Sequence, residues 1–401
     1  MLIARGTRRR ERRQGGAVQG EGMRGRVPWA DTAKGASIVL VVLWHVTAKH
    51  VLPMDLGAAQ PVAEAWSRIG AQLLPLRMPL FFLVSGMFAV GAVARPWPVL
   101  LRTRILRFAA LYAVWLTIQT VVMLPIDDFG TAHARSPLVF LAQLTISPTN
   151  LWFLFALAAY FLVARLTRRI PTAPLLLGAA VVSAIAGAKI VEPVVWVVGM
   201  PGGPGEDNLW QVFQNLFFFL AGLRLREAVA KGAARVTVPG ALMLAAGYAA
   251  ALVVSAVLDL RLVPGVAPAV SIVAVSFGVA ASALAPRVAP RLAAGARWLG
   301  RRTLPIYVLH MPLLAYADML LRGPLSEGVR RLAASDSGAS RMVSWMLVAC
   351  WPVVLTGLLV AVCLFLHAVL QRLGAARLFA PIPDRSAVRD PGVRRRSPRG
   401  G

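Results

Sequence analysis

The chain has 401 residues, is 58% hydrophobic and carries a formal charge of +26 at neutral pH. Only 15% of residues are charged, against about 25% in soluble domains that are roughly 45–50% apolar, which argues against a water-soluble multidomain protein and predicts an all-α polytopic membrane protein. Such a charge excess can mark a nucleic-acid binder, but here the arginines sit at both termini and in short connections between apolar runs, where they mark cytoplasmic loops, so nucleic acid is excluded as a partner.

In chain order, residues 1–26 hold eight arginines among glycines and glutamines. They read as a disordered basic cytoplasmic tail beside anionic head groups, with no cleavable signal-peptide pattern. From 27 to 371 extends one transmembrane domain. Ten apolar segments are predicted as spanning helices, at 36–54, 71–94, 105–125, 150–166, 173–191, 209–224, 236–258, 264–285, 304–321 and 343–371. A span takes ~20 residues, so the short segments 150–166 and 209–224 predict tilt or irregularity. Residues 372–401, rich in Pro, Arg and Ser, read as a second disordered cytoplasmic tail. No internal repeat is visible. Cys350 and Cys363 have no metal-like spacing and build no disulfide framework, so no metal site is expected.

Charge orients these segments. With the N-terminus in the cytoplasm, the four inside connections carry sixteen Lys and Arg residues and one acid, Glu227. The five outside connections carry eight cations and ten acids, among them Asp55, Asp127, Asp128, Glu192 and Asp336. The asymmetry predicts ten helices with both termini cytoplasmic, in a multi-pass protein of the cell membrane.

The first segment holds the leading site candidates. Lys34 lies near its start and His45 in its interior, eleven residues on. At ~100° and 1.5 Å per residue both share one face, with a rise of ~16 Å between them. Ionisable groups inside a membrane usually face a polar cavity and mark function. A ligand lying along this helix would meet Lys34 at the membrane surface and His45 at depth. Asp31 precedes them as a first-turn acid. In the second segment Arg77 and Ser85 are polar groups in or near the bilayer, Pro79 can kink the helix, and Gly86 permits close packing. Helix packing is the favoured reading of Ser85–Gly86. The first inside connection carries Arg102, Arg104 and Arg107. Such forks suit the phosphates of a nucleotide-bearing donor, although the positive-inside rule alone would also place them there. Trp152 opens the fourth segment. The ninth brings Tyr307 and His310 into the bilayer, and two intramembrane histidines in one chain point to a polar cavity. His50, His133 and His367 lack such context and read as incidental.

Together these residues resemble the acyltransferase-3 family, integral membrane acyltransferases that O-acylate sugars and glycans. Asp31, Lys34, Gly35 and His45 match a D-x-x-[RK]-G-x9-H pattern. Met78–Gly86, Leu151–Leu154, Asn215–Gly222 and Leu299–His310 are similar to four later elements in order. Many members carry arginine where Lys34 stands, and the lysine form is similar to a fucose O-acetylase-like subgroup. Arg77 stands where such relatives often have histidine. The resemblance implies an O-acetyltransferase of the cell envelope that modifies polysaccharide. Its donor is cytoplasmic acyl-CoA, usually acetyl-CoA, with no bound cofactor. Its acceptor is a hydroxyl of a carbohydrate or lipid-linked glycan. His45 is implied as general base or acyl-handling group, with Lys34 beside it. Arg102, Arg104 and Arg107 are implied to bind the donor. Asp31, Arg77, Ser85, Trp152, Tyr307 and His310 are the expected acceptor-side or cavity residues. The competing reading is a transporter or flippase without covalent chemistry. The lack of paired intramembrane carboxylates and inverted repeats weighs against it.

Overall fold

The structure, a computed structural model, describes residues 27–126, 129, 134, 136–190 and 204–382, the side chains of 204–207 apart. His133, Asp127, Asp128, Arg135, Glu192 and both terminal tails as far as 26 and from 383 therefore lie outside the described residues. Every regular element among those described is helical.

The helices are α1 (Pro28–Val46), α2 (Gln60–Gln72), α3 (Leu74–Val93), α4 (Trp97–Leu100), α5 (Leu106–Val122), α6 (Pro137–Thr145), α7 (Trp152–Leu166), α8 (Thr172–Gly187), α9 (Pro204–Arg224), α10 (Arg226–Arg235), α11 (Val238–Val257), α12 (Val266–Val288), α13 (Pro290–Gly300), α14 (Thr303–Ala333) and α15 (Gly338–Arg372). Each of the ten apolar segments falls on one of them. Among the described residues, six stretches are long and apolar enough to cross a membrane: Gly57–Val93, Trp97–Val122, α11, α12, α14 and α15. Trp152–Leu166 and Thr172–Gly187 are shorter apolar helices. The environment of α11 makes the membrane reading concrete. It is apolar all round, yet only Ala241 and Tyr248 are buried, while Leu242, Met243, Val253 and Val257 are exposed. An apolar helix with an exposed surface of that kind needs lipid.

α1 is the central element, packed against α3, α12, α13, α14 and α15. Two pairs of glycines set the closest crossings. A Cβ on Gly35 would fall 1.8 Å from the Ala296 carbonyl oxygen, and one on Gly300 1.8 Å from that of Asp31, so α1 and α13 touch backbone to backbone. Gly86 and Gly222 do the same for α3 and α9, each 2.0 Å from a carbonyl oxygen, those of Phe219 and Leu83. Without a hydrophobic force between helices in lipid, such close van der Waals approach is what holds them.

Four boundaries differ from expectation. The first segment, expected at 36–54, is an α-helix over Pro28–Val46, with Pro28 at its N-terminus and His45 in its last turn, followed by a π-helical turn at Thr47–Val51. The segment expected to be short at 209–224 belongs to a 21-residue helix beginning at Pro204. α14 runs twelve residues past 321, because Glu327 pairs with Arg330 and Arg331 one turn away and carries the helix into a polar environment. Past Arg372 the chain folds back: Ala375–Phe379 forms a 3-10 turn, Phe379 is buried, and the Trp115 Nε1–H donates to the Leu378 carbonyl at 2.9 Å.

Candidate active site

Near one end of the bundle α7 begins late, and the site is built around that fact. Residues 147–151 are irregular, yet Thr149, Asn150 and Leu151 are buried. Irregular backbone in a membrane protein needs partners for its polar groups. Two tyrosines supply them. The Tyr307 hydroxyl donates to the Asn150 carbonyl at 2.8 Å and accepts from the Phe153 N–H at 3.1 Å. The Tyr112 hydroxyl donates to the Gln143 carbonyl at 2.5 Å and accepts from the Thr149 N–H at 3.4 Å. The Asn150 side chain is left over. It is 8% exposed, and neither its Oδ1 nor its Nδ2 has a hydrogen-bond partner among the described residues. A buried polar group without a partner costs about 1–3 kcal/mol.

Against this wall stands a pair of histidines. His310 Nδ1 lies 3.0 Å from the Ile306 carbonyl, and its Nε2 lies 3.2 Å from His45 Nδ1. A carbonyl only accepts, so in the neutral pair His310 carries its proton on Nδ1 and a lone pair on Nε2. His45 then donates from Nδ1, and its own Nε2 keeps a free lone pair. The network assigns the tautomers of both rings. In α14, Pro312 has no N–H to donate to the Val308 carbonyl. The Gln119 Nε2 takes up that carbonyl at 2.9 Å and ties α5 to α14.

His45 lines a cavity of about 660 Å³ together with Trp44, Lys49, Arg77, Asn150, Trp152, Gln211 and Tyr307. Arg77 is buried there. Its guanidinium lies 4.7 Å from the Trp44 ring centre and donates to the Gly70 carbonyl at 2.9 Å, capping the end of α2. A second, smaller cavity of about 190 Å³ lies toward the other end of the bundle. Its wall is mostly apolar, from Ile38, Phe81, Phe108, Phe153 and Leu157, with Ser85 and Thr303. Val41, Met78 and Tyr307 line both cavities. Ser85 thus reaches a cavity besides packing, its hydroxyl donating to the Phe81 carbonyl at 2.8 Å.

The structure therefore brings His45, His310, Tyr307, Trp152 and Arg77 together. It does not bring Lys34 to them. Lys34 pairs with Asp31 at 2.8 Å, lies over the Phe88 ring, and lines neither cavity; Arg301 also reaches Asp31, at 3.5 Å. Beside α1 lie two cavities that share Val41, Met78 and Tyr307 as wall residues. Arg102 and Arg104 lie in a π-helical turn at Leu101–Ile105, with Arg107 just after it. Arg104 approaches the Phe161 ring at 6.0 Å. All three arginines stand apart from His45, lining neither cavity.

Two features escaped the sequence. Asn150 reads there as one more polar residue before a helix. His50, read as incidental, is fully buried: its Nδ1 lies 2.7 Å from Asp318, and its Nε2 accepts from the Trp351 Nε1–H at 3.0 Å. Arg322 completes the network through Asp318, at 2.6 and 3.0 Å, and through the Lys49 carbonyl at 3.3 Å. The indole only donates, so His50 holds its proton on Nδ1 toward Asp318. The π-helical turn Thr47–Val51 carries His50 there, and such turns break the helical period from which a buried face is read. An acid inside the ninth apolar segment was the available signal.

The described residues thus form a bundle of apolar helices with a buried histidine pair beside a cavity, and sequence comparison gives its class. The chain belongs to the acyltransferase-3 family, whose profile, described as an acyltransferase domain, matches residues 27–369. It is similar to inner membrane protein YcfT of Escherichia coli (strain K12), 27% identical over 157 residues, a match spanning 35% of this chain and 44% of that protein. No solved structure matches.

Proposed function

We propose that the protein moves an acyl group, acetyl in the first instance, from cytoplasmic acyl-CoA to a hydroxyl of a carbohydrate or lipid-linked glycan in the cell envelope. The observation that carries this reading is the His45–His310 pair, which leaves the His45 Nε2 lone pair on a cavity wide enough for a polyhydroxyl acceptor. The acceptor hydroxyl gives its proton to that nitrogen while its oxygen attacks the thioester carbonyl. The tetrahedral intermediate collapses to the ester, and the CoA thiolate leaves and recovers the proton. The smaller apolar cavity is the route for the acyl end of the donor. Its junction with the larger one lies one helical turn before His45, at Val41. Arg102, Arg104 and Arg107 remain the proposed phosphate contacts at the cytoplasmic end, with Lys34 and Asp31 as a charged pair on the same side. Arg77 and Trp152 flank the acceptor.

The test is acyl transfer by protein in proteoliposomes with labelled acetyl-CoA, joined to mass spectrometry of envelope glycans with and without the gene. The expected result is a glycan mass that rises by one acyl group only when the gene is present. Unchanged glycans, together with acetyl-CoA that neither binds nor turns over, would sink the reading.

A further inference from the structure

The cavity beside His45 has a neighbour. A compartment of about 390 Å³ lies among the start of α3, α9, the end of α11 and the start of α12. Leu74, Gln211 and Gln214 line both spaces, so the two adjoin. The second is also lined by a carboxamide whose oxygen is stranded. Asn215 is 1% exposed, and its Nδ2 donates to the Gln211 carbonyl at 2.8 Å and to Gln211 Oε1 at 3.3 Å. Its Oδ1 has no partner among the described residues. Asn150 stands in the first compartment with both polar atoms unpartnered.

A carboxamide oxygen accepts two hydrogen bonds and its nitrogen donates two, while a hydroxyl does both. An unpaired carboxamide at Asn150 and an unpaired carboxamide oxygen at Asn215, on residues lining adjoining spaces, therefore match a ligand whose hydroxyls recur along its length. Trp44, Trp152 and Trp210 line the first space, offering flat apolar faces of the kind that ring C–H groups cover. Gln72, Ser255 and Ser271 add polar side chains to the second.

We propose that the two compartments form one bipartite acceptor site for at least two linked sugar units. The unit that receives the acyl group lies on Asn150 beside His45, and the next unit lies on Asn215. The choice of which unit is acylated rests on the acyl-transfer reading; the binding of two units does not.

The experiment uses the full chain in nanodiscs, without donor. Tryptophan fluorescence follows titration with methyl glycosides of neutral hexoses and 6-deoxyhexoses, and with the corresponding disaccharide methyl glycosides. At least one disaccharide is expected to bind ten-fold or more tightly than its monosaccharide. Asn215→Ala erases that advantage and leaves monosaccharide affinity in place, whereas Asn150→Ala weakens both at least ten-fold. Ser255→Phe, which fills the second compartment from α11, serves as an independent variant should Asn215→Ala fail to fold, and it too erases the advantage. Equal binding of mono- and disaccharides, no glycoside binding, or an advantage surviving both changes overturns the proposal. Acetyl-CoA binding on the same samples separates the two readings. Protein that binds acetyl-CoA but no glycoside overturns the bipartite site alone, and protein that binds disaccharides but no acyl-CoA overturns acyl transfer while the site stands.

Discussion

His45 and His310 come from helices 265 residues apart in the chain, yet their rings lie 5.1 Å apart centre to centre. What His310 does follows from its partners. Bonded to the Ile306 carbonyl, it must accept from His45, and so it fixes which His45 nitrogen is free. Removing the proposed base, by His45→Ala, is expected to lower kcat by ~10²–10⁴-fold, the usual range for a lost general base. His310→Ala loses activity through the tautomer and orientation of His45. The double variant should then be no slower than His45→Ala, since residues acting as a unit are not additive. Initial rates of labelled acyl transfer for the three variants decide it; a double variant slowed by the product of the two single losses would show independent roles. At this scale the sequence was readable where a group is out of place by type. A histidine, an arginine or a tyrosine within an apolar run announces itself, and His45, Arg77, Tyr307 and His310 do line or support one cavity. Asn150 carries no such signal, because its isolation follows from Tyr307 taking its backbone carbonyl and leaving its side chain over.

Elements meet through the glycines that the family patterns contain. Gly35 and Gly300 each press on a backbone oxygen of the opposite helix, so a methyl group at Gly300 forces α1 and α13 apart. Gly300→Ala is expected to destabilise by about 1–3 kcal/mol, as overpacking does, and to lower the Tm in detergent. Gly295 lies in the same helix with nothing near an added Cβ. Gly295→Ala should therefore hold or raise the Tm, since Ala is favoured over Gly in a helix by up to about 1 kcal/mol. Equal losses at both positions would mean that helix propensity, not contact, explains them. The His50–Asp318–Arg322 network joins the π-helical turn after α1 to α14 and α15, and it is the second element-scale device. Asp318→Ala leaves a half-buried guanidinium and a fully buried imidazole short of their shared acceptor. Breaking a buried pair from one side costs about 3–5 kcal/mol; with Arg322 partly exposed, a loss toward or below the lower end is expected in thermal unfolding. Neither device is readable from periodicity alone. The glycines showed as motif letters without partners, and the π-helical turn rotates His50 out of the phase that a regular helix assigns to it.

At the scale of the whole molecule, the question is how many helices cross the bilayer. Length and hydropathy mark six stretches, and the charge count asks for ten, the further four being α1, α7, α8 and α9. α7 and α8 are apolar but short, and packing accounts for α1, α7 and α9. α7 has 15 residues, ~22 Å at 1.5 Å per residue, against a hydrocarbon core of ~30 Å. Its missing turn is the buried irregular stretch above Trp152 that tyrosines hold and that lines the cavity, which is where a membrane protein tolerates open backbone. α1 and α9 carry polar side chains such as His45, Gln211 and Asn215 toward the two compartments, which lowers their hydropathy without removing them from the bundle. The two counts make opposite statements about one pair of positions. With ten spans, Ile146, before α7, faces outside and Arg169, after it, faces the cytoplasm; with six, both lie on one side. Single cysteines at these positions, Ile146→Cys and Arg169→Cys, in a background with Cys350 and Cys363 replaced, should react differently with a membrane-impermeant maleimide. Labelling of the first in intact cells, and of the second only after permeabilisation, is the expected result. Labelling of both from the same side removes α7 as a span, and with it the orientation that puts the His45 cavity outside and Arg102, Arg104 and Arg107 within.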